Sequence, residues 1–513
     1  MDFGLNSRNK TAQPKKMTDN QSSYRQIFKA TSLFGGVQVI GILISVIRSK
    51  FVAVFLGTTG VGILSLFQST TNLIGTLTSL GIDTSAVRDI SEANGTNDTK
   101  RIARVITIFR RWIWVTGLLG TVLTFCMAPL LSEWTFGNRE YTMAFIWLSS
   151  TFLLGSLSTG QITLLHGLQK LKQMAKANIA GAVFGLIFSI PLYYKYGIKG
   201  IVPTMILTTL TALILSWKYS HNIKFEKTTI SLKDTLSGGL GMVKLGILIT
   251  LSSSINLLVS YLVNTFISRT GNLGDVGLYQ AGWNITNKYV GLVFTAMVVD
   301  YFPRLSKINN DNLKVSEVVN QQSEIAILIL SPILILLLST TPIVISILYT
   351  KEFLPVVTFI EWVVLGILFR ALAWTLGFIP LAKGDAKLYF WKEFLSSMII
   401  LTSNLAGYYL GGLEGLGISF ALSNFLIFFF MQWICRHKYD FHFSYEFRKV
   451  FIFHFLLCLL AFLITYRLGF PWAYASGAIF FLIIGWHSWK TLDNKINLKQ
   501  LMIDILKKKK DNE

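Results

Sequence analysis

Residues 325–349 read IAILILSPILILLLSTTPIVISILY, 25 positions without a charge. A run of about 20 apolar residues is enough to cross the hydrocarbon core of a bilayer. Such runs recur from one end of the 513-residue chain to the other. Within lipid, every backbone N–H and C=O must be bonded inside the segment or to a neighbour, so only helices and closed barrels span. These runs are too long for barrel strands, which take about 9–11 residues. Composition agrees: 52% of residues are hydrophobic and 14% charged, against about 25% charged in a soluble domain. The expectation is an all-α polytopic membrane protein.

Apolar windows place fourteen transmembrane helices, at 30–55, 61–82, 112–131, 142–165, 177–197, 199–217, 240–268, 277–299, 325–349, 357–381, 390–411, 413–435, 450–468 and 470–488. The last two are short and nearly contiguous, so twelve spans plus a hairpin is the alternative. The implied organisation is a cytoplasmic N-terminal tail (1–27), an N-lobe of six helices (28–220) and a linker (221–239). A six-helix C-lobe (240–436), a C-terminal helix pair (437–490) and a basic tail (491–513) follow.

Charge supports fourteen spans with both termini cytoplasmic. With the N-terminus inside, 37 of the 47 Lys and Arg fall in cytoplasmic segments and 8 at outer ends and loops, a strong positive-inside bias. The net charge of +21 is therefore a matter of topology, and no nucleic-acid partner is expected. The tail INLKQLMIDILKKKK (496–510) suits an interfacial amphipathic helix on anionic lipid, or serves only as an orientation signal. No signal-peptide pattern opens the chain. Cys126, Cys435 and Cys458 form no CxxC pair, and CRHKYDFH lacks metal-ligand spacing. No metal or cofactor is expected. The outer loops are too short for a catalytic domain, so the chain does not read as an enzyme.

An internal repeat also shows. VGILSLFQSTTN (61–72) resembles VGLYQAGWNITN (276–287) at a shift of 215 residues, six helices apart. An even number of crossings preserves orientation, so the lobes would be parallel repeats with substrate between them near the midplane. Both helices carry polar stripes. In the eighth, Gln280, Asn284, Asn287 and Lys288 fall within an arc of about 100°. In the second, Ser65, Asn72, Thr76, Ser79 and Asp83 fall within about 80°, with Gln68 at the margin. Interhelical hydrogen bonding is the plainer explanation of such stripes, but Lys288 adds a charge near the bilayer centre.

Arg370, in LGILFRALAWTLGFIPLAKG (365–384), is a second cation at mid-helix. Such a charge costs about 2.5–3.5 kcal/mol on insertion scales and seeks water, an anion or a partner. Glu361 lies nine residues away, on the opposite face of the same helix. Arg370 therefore either faces a wet cavity or pairs with Glu361, Glu393 or Glu324 of another element. Arg48 and Lys50 in the first helix point about 160° apart, so only one faces inward. Helices one and seven carry no carboxylate. A cation-rich, acid-poor interior suits an anionic substrate.

Three segments carry a family resemblance. FLGTTGVGILSLFQSTTNLIGTLTSLGI (55–82), VGLYQAGWNITNKYVGLVFTAMVVDYFPRLSKI (276–308) and EWVVLGILFRALAWTLGFIPLAKGDAKLYFWKE (361–393) resemble bacterial O-antigen and polysaccharide flippases. These belong to the multidrug/oligosaccharidyl-lipid/polysaccharide exporter superfamily. The resemblance covers most of residues 25–435. It puts Arg370 on a basic position of the tenth-helix signature and Lys50 on a cation late in helix one. Two positions depart from it: Ile367 stands where relatives often carry an acid, and Gln68 where some carry an arginine.

The resemblance implies flipping of an undecaprenyl-diphosphate-linked oligosaccharide from the inner to the outer leaflet of the bacterial cytoplasmic membrane, by alternating access through a cationic central cavity. Substrate would meet Lys288, Arg370, Arg48, Lys50, Gln280, Asn284, Asn287, Gln68 and Asn72, with Asp83, Glu361 and Glu393 in coupling or gating. Partners would be the lipid-linked glycan, membrane lipids and polysaccharide polymerase or assembly proteins. The alternatives are a cation-coupled multidrug exporter of the same fold, which needs cavity carboxylates, and a membrane-embedded glycan polymerase or transferase.

Overall fold

A computed structural model describes residues 19–96, 98–221, 223 and 230–496. Side chains are described from Ile40 onward, except those of Lys288, several others in the seventh and eighth helices, and three at the ends of the last helix. The expected C-terminal amphipathic helix lies outside the described residues. Among them the chain is helical throughout: α1 (Asp19–Ser79), α2 (Ile82–Gly95), α3 (Thr99–Phe136), α4 (Thr142–Gly167), α5 (Leu171–Tyr196), α6 (Ile201–Ser220), α7 (Leu232–Thr270), α8 (Leu273–Lys307), α9 (Asn312–Leu348), α10 (Val357–Ala382), α11 (Ala386–Tyr439), α12 (Tyr445–Leu468) and α13 (Phe470–Ile496). Short 3-10 turns, Gly197–Gly200 and Lys351–Val356, lead into α6 and α10.

Two long helices are broken at glycine. In α1, Gly57 takes φ 64°, a left-handed conformation that a Cβ disfavours, and the chain turns there from the first expected span into the second. In α11 the helix breaks at Gly411 and Gly412, where Gly412 takes φ 57°. Counted at these breaks, the described helices of spanning length number fourteen. Eight stretches among the described residues, some running through such a junction, are long and apolar enough to cross a membrane. The starts are fixed by side-chain caps that satisfy otherwise unpaired N–H groups. Asp98 accepts from Lys100 and Arg101 in α3, Asn272 from Asp275 in α8, and Ser444 from Phe447 in α12.

Several helices outrun their apolar windows. α1 begins at Asp19 and α7 at Leu232, earlier than hydrophobicity alone indicated. Nothing in residues 19–34 breaks a helix, as neither glycine nor proline occurs there. At the start of α7, Ser231 supplies the cap, accepting from Asp234 N at 3.0 Å.

The 215-residue shift seen in sequence recurs in the helix boundaries. α4 and α10 both begin and end 215 residues apart, and α5 and α11 begin at the same offset. At the contact of α1 with α8 the correspondence is reciprocal. A Cβ on Gly62 would fall 1.9 Å from the Leu273 carbonyl oxygen, and one on Gly277 would fall 2.0 Å from that of Thr58. Gly62 and Gly277 are repeat equivalents, as are Thr58 and Leu273. Each glycine lets the other helix's backbone close upon it.

This contact seals the end of the bundle that holds Gly57. At the opposite end, which holds α2, α7 crosses close beneath the α1–α2 junction. There a Cβ on Gly246 would fall 2.3 Å from Leu80 O. Trp112 Nε1 of α3 donates to Thr235 O of α7 at 3.1 Å, and Arg111 donates to Ile230 O at 2.9 Å. α12 and α13 pack on α9, beside α10, the most enclosed of the apolar stretches.

Candidate functional site

The polar stripe of the second half of α1 lines a cavity of about 500 Å³ among α1, α3, α4 and α6. Gln68 and Asn72 are exposed into it, Thr76 and Ser79 follow toward the α2 end, and Asp83 sits at the first turn of α2. Ser65 does not join them: it is buried and donates to Val61 O at 2.8 Å, inside its own helix. The facing wall comes from α3, α4 and α6, chiefly through Thr116, Thr151, Ser156, Thr159 and Thr209. The sequence reading missed this wall, although its signal was present. Thr151, Gly155, Ser156 and Thr159 recur at helical spacing and share one face of α4.

Apart from Ile113, Phe152, Met205 and two glycines, every lining residue carries a hydroxyl, an amide or a carboxyl. Asp83 is the one ionisable group among them, and none is Lys or Arg among the described residues. This differs from the cationic cavity expected from sequence. Two of the expected cations, Lys50 and Arg370, are held elsewhere by groups that suit them.

Lys50 reaches across to α9, donating from Nζ to Ser346 O at 2.7 Å and to Tyr349 O. These carbonyls end a helix, where the dipole is negative and acceptors lack intrahelical donors. Arg370 is half-buried on α10 and donates from Nη1 to Asn287 Oδ1 of α8 at 2.6 Å. Its guanidinium also lies 5.9 Å from the ring centroid of Phe294. None of the three glutamates considered as its partner fills that role. Glu324 binds Lys495 of α13 at 2.6 Å, Glu393 pairs with the adjacent Lys392, and Glu361 is buried on α10. Near Glu361, Glu414 accepts from Tyr466 at 2.6 Å and from Trp362 at 3.5 Å.

The remaining expected residues disperse. Arg48 and Gln280 are half-buried on α1 and α8. Asn284 faces α1 and Tyr349 in a small separate recess. Lys288 lies within α8, with its side chain outside the described residues.

The repeat equivalents of three residues on or beside this cavity are much larger. The residues 215 positions beyond Ser79, Gly155 and Thr159 are Phe294, Arg370 and Trp374. Phe294 and Trp374 pack with ring centroids 5.3 Å apart, and Arg370 fills the space beside them. Where α10 presents a guanidinium, α4 presents a glycine whose added Cβ would meet nothing nearer than Thr209 Cγ2 at 3.8 Å. Small and hydroxylic side chains line the cavity of the N-terminal half, whereas aromatic and cationic ones stand at the equivalent positions.

A multi-pass helical membrane protein with a polar cavity inside an apolar bundle has the architecture of a transporter. A family model described as polysaccharide biosynthesis protein matches residues 51–358, and the chain belongs to that family. It is 22% identical over 350 residues to the lipid III flippase of Escherichia coli (strain K12), covering 67% of this chain and 82% of that one. The fold is similar to that of the lipid II flippase MurJ in an inward closed conformation, with a TM-score of 0.66, 16% identity, and coverage of 91% of this chain and 99% of that one. It is also similar to an inward-facing multidrug resistance MATE family transporter of the MOP superfamily, with a TM-score of 0.62, 12% identity, and coverage of 80% and 96%. These relatives are flippases and transporters, not enzymes.

Proposed function

We propose that the protein flips a lipid-linked oligosaccharide from the inner to the outer leaflet of the bacterial cytoplasmic membrane. The observation that carries this reading is the cavity of hydroxyl and amide groups buried in an apolar bundle, in a chain of the polysaccharide biosynthesis family. Sugars exchange hydrogen bonds with such walls as they do with water, while the polyprenyl tail stays in the bilayer. The substrate would be an undecaprenyl-diphosphate carrier bearing an O-antigen-like repeat unit. All fourteen helices would span, with both termini and the α2 end cytoplasmic, as the distribution of Lys and Arg requires.

Two six-helix lobes, related as parallel repeats, would rock about the α1–α8 contact to give alternating access. Arg370 suits a role toward the diphosphate because its partner, Asn287, is neutral. An arriving phosphate offers charge-assisted bonds that an amide does not. Lys288, on the same helix as Asn287, would act with it.

Asp83 in the cavity favours one rival, a cation-coupled exporter of cationic drugs. Deleting the gene separates the two. A flippase leaves a lipid-linked glycan accumulating on the cytoplasmic face, and a strain that loses only drug tolerance, with surface glycan intact, would refute the proposal.

A further inference from the structure

The cavity wall has a directional hydrogen-bonding character. Thr71 donates its hydroxyl to Phe67 O at 2.8 Å, Thr116 to Trp112 O at 3.0 Å, and Thr151 to Leu148 O at 2.6 Å. Thr209 and Ser79 likewise donate to Met205 O and Thr76 O, at 2.8 and 3.0 Å. Each of these hydroxyls has used its single proton inside its own helix, leaving oxygen lone pairs for a ligand. Asp83 adds a carboxylate, which when ionised only accepts. Gln68 and Asn72 contribute amide donors as well as acceptors, but no lining residue is Lys or Arg among the described ones.

We propose that this cavity holds the uncharged or amino-bearing sugar units of the substrate and turns acidic sugars away. The proposal rests on the flippase reading and specifies its glycan class. A sugar hydroxyl donates and accepts, and an ammonium donates, so both match a wall rich in lone pairs. A uronate carboxylate only accepts. Its donors there would be neutral, the amides of Gln68 and Asn72 and the hydroxyls of Thr76, Ser156 and Thr159, beside the like charge of Asp83 and with no Lys or Arg among the described lining residues to offset its desolvation. The repeat supplies the contrast: the position equivalent to Arg370 in this half is Gly155, so the one guanidinium that could face an acidic sugar is absent here.

The test uses full-length protein in proteoliposomes and two fluorescent undecaprenyl-diphosphate disaccharides. They differ only in whether the terminal sugar is glucose or glucuronic acid. The glucose form should be flipped on the order of tenfold faster or more, the penalty expected for an unpaired buried carboxylate. Equal rates, or a faster glucuronic form, overturn the proposal and leave the flippase reading intact. If neither form moves, the flippase reading fails and takes the proposal with it. Gln68→Arg places a cation in the cavity from an exposed position and should narrow the gap by speeding the glucuronic form. Asp83→Asn, which removes the like charge, should narrow it as well. A gap unchanged in folded samples of both variants means that selectivity is set elsewhere and overturns the proposal.

Discussion

Arg370 shows how a charge is kept in an apolar bundle without a counter-ion. Its 2.6 Å bond to Asn287 is charge-assisted, and such bonds contribute about 1.5–3 kcal/mol. Asn287→Leu should destabilise the detergent-purified protein by about that amount, because it strands the guanidinium. Adding Arg370→Met should recover much of the loss, since removing both partners leaves nothing unsatisfied. Thermal unfolding of the wild type, the two single variants and the double variant measures the coupling. A strictly additive cycle would show that the bond contributes nothing. For function, Arg370→Ala and Lys288→Ala should each slow flipping of lipid-linked glycan in vesicles while the protein still inserts. Lys288→Arg should retain more activity than Lys288→Glu. Normal transport by both alanine variants would remove these cations from the mechanism.

At the scale of the element, ends and junctions carry the interactions that hold the helices in register. Asp385 caps α11, accepting from Leu388 N at 3.2 Å, and also binds Lys438 and Tyr439. The hydrogen bond from Lys438, opposed by burial and supported by the bonds from Leu388 and Tyr439, holds the Asp385 carboxyl below the usual carboxylate range. A depressed folded value means that this contribution is complete above the unfolded value of about 3.9. It is lost as pH falls through the lower, folded one. The α10–α11 turn should therefore keep its protection from hydrogen exchange at pH 5 and lose part of it only in stronger acid. Asp385→Asn should weaken that protection at pH 5 and abolish its acid dependence.

At the other end of the bundle, the Lys50 clamp on α9 and the Gly62–Gly277 contact hold α1 against α9 and α8. Gly62→Val inserts a side chain where the Leu273 carbonyl stands, so it should hold that end apart. Spin labels at Thr59 and Asn272 should then report a longer distance than in the parent protein. An unchanged distance distribution would show that the helices adjust without opening.

For the whole molecule, the alternation of helix ends makes a topological prediction. Single cysteines at Asn138 or Lys351, introduced into a cysteine-free background, should react with an impermeant maleimide added outside intact cells. Those at Thr96 or Asn309 should react only after permeabilisation. Labelling of all four from outside, or the reverse pattern, would overturn the orientation assigned from charge. The asymmetry of the two repeats is also a property at this scale. One half has a hydroxylic cavity around Gly155, and the other carries Phe294, Arg370 and Trp374 at or near the equivalent positions.

By itself the sequence determined that the chain is helical and membrane-embedded, because apolar runs of spanning length leave the backbone few other ways to satisfy its hydrogen bonds. It also determined the repeat offset and the stripe from Gln68 to Asp83, because these are periodicities, which need no knowledge of neighbours. Only the tertiary structure decided which polar groups share a space. The partner of Arg370 is 83 residues away in sequence and that of Lys50 nearly 300, and no local spacing indicates either. A cavity is likewise made by what the facing helices omit. Gly155 acquires its meaning only opposite Asn72, in a bundle where its counterpart is Arg370. For two of the expected cations, packing and not composition made the assignment: Lys50 to a helix end and Arg370 to a neutral amide.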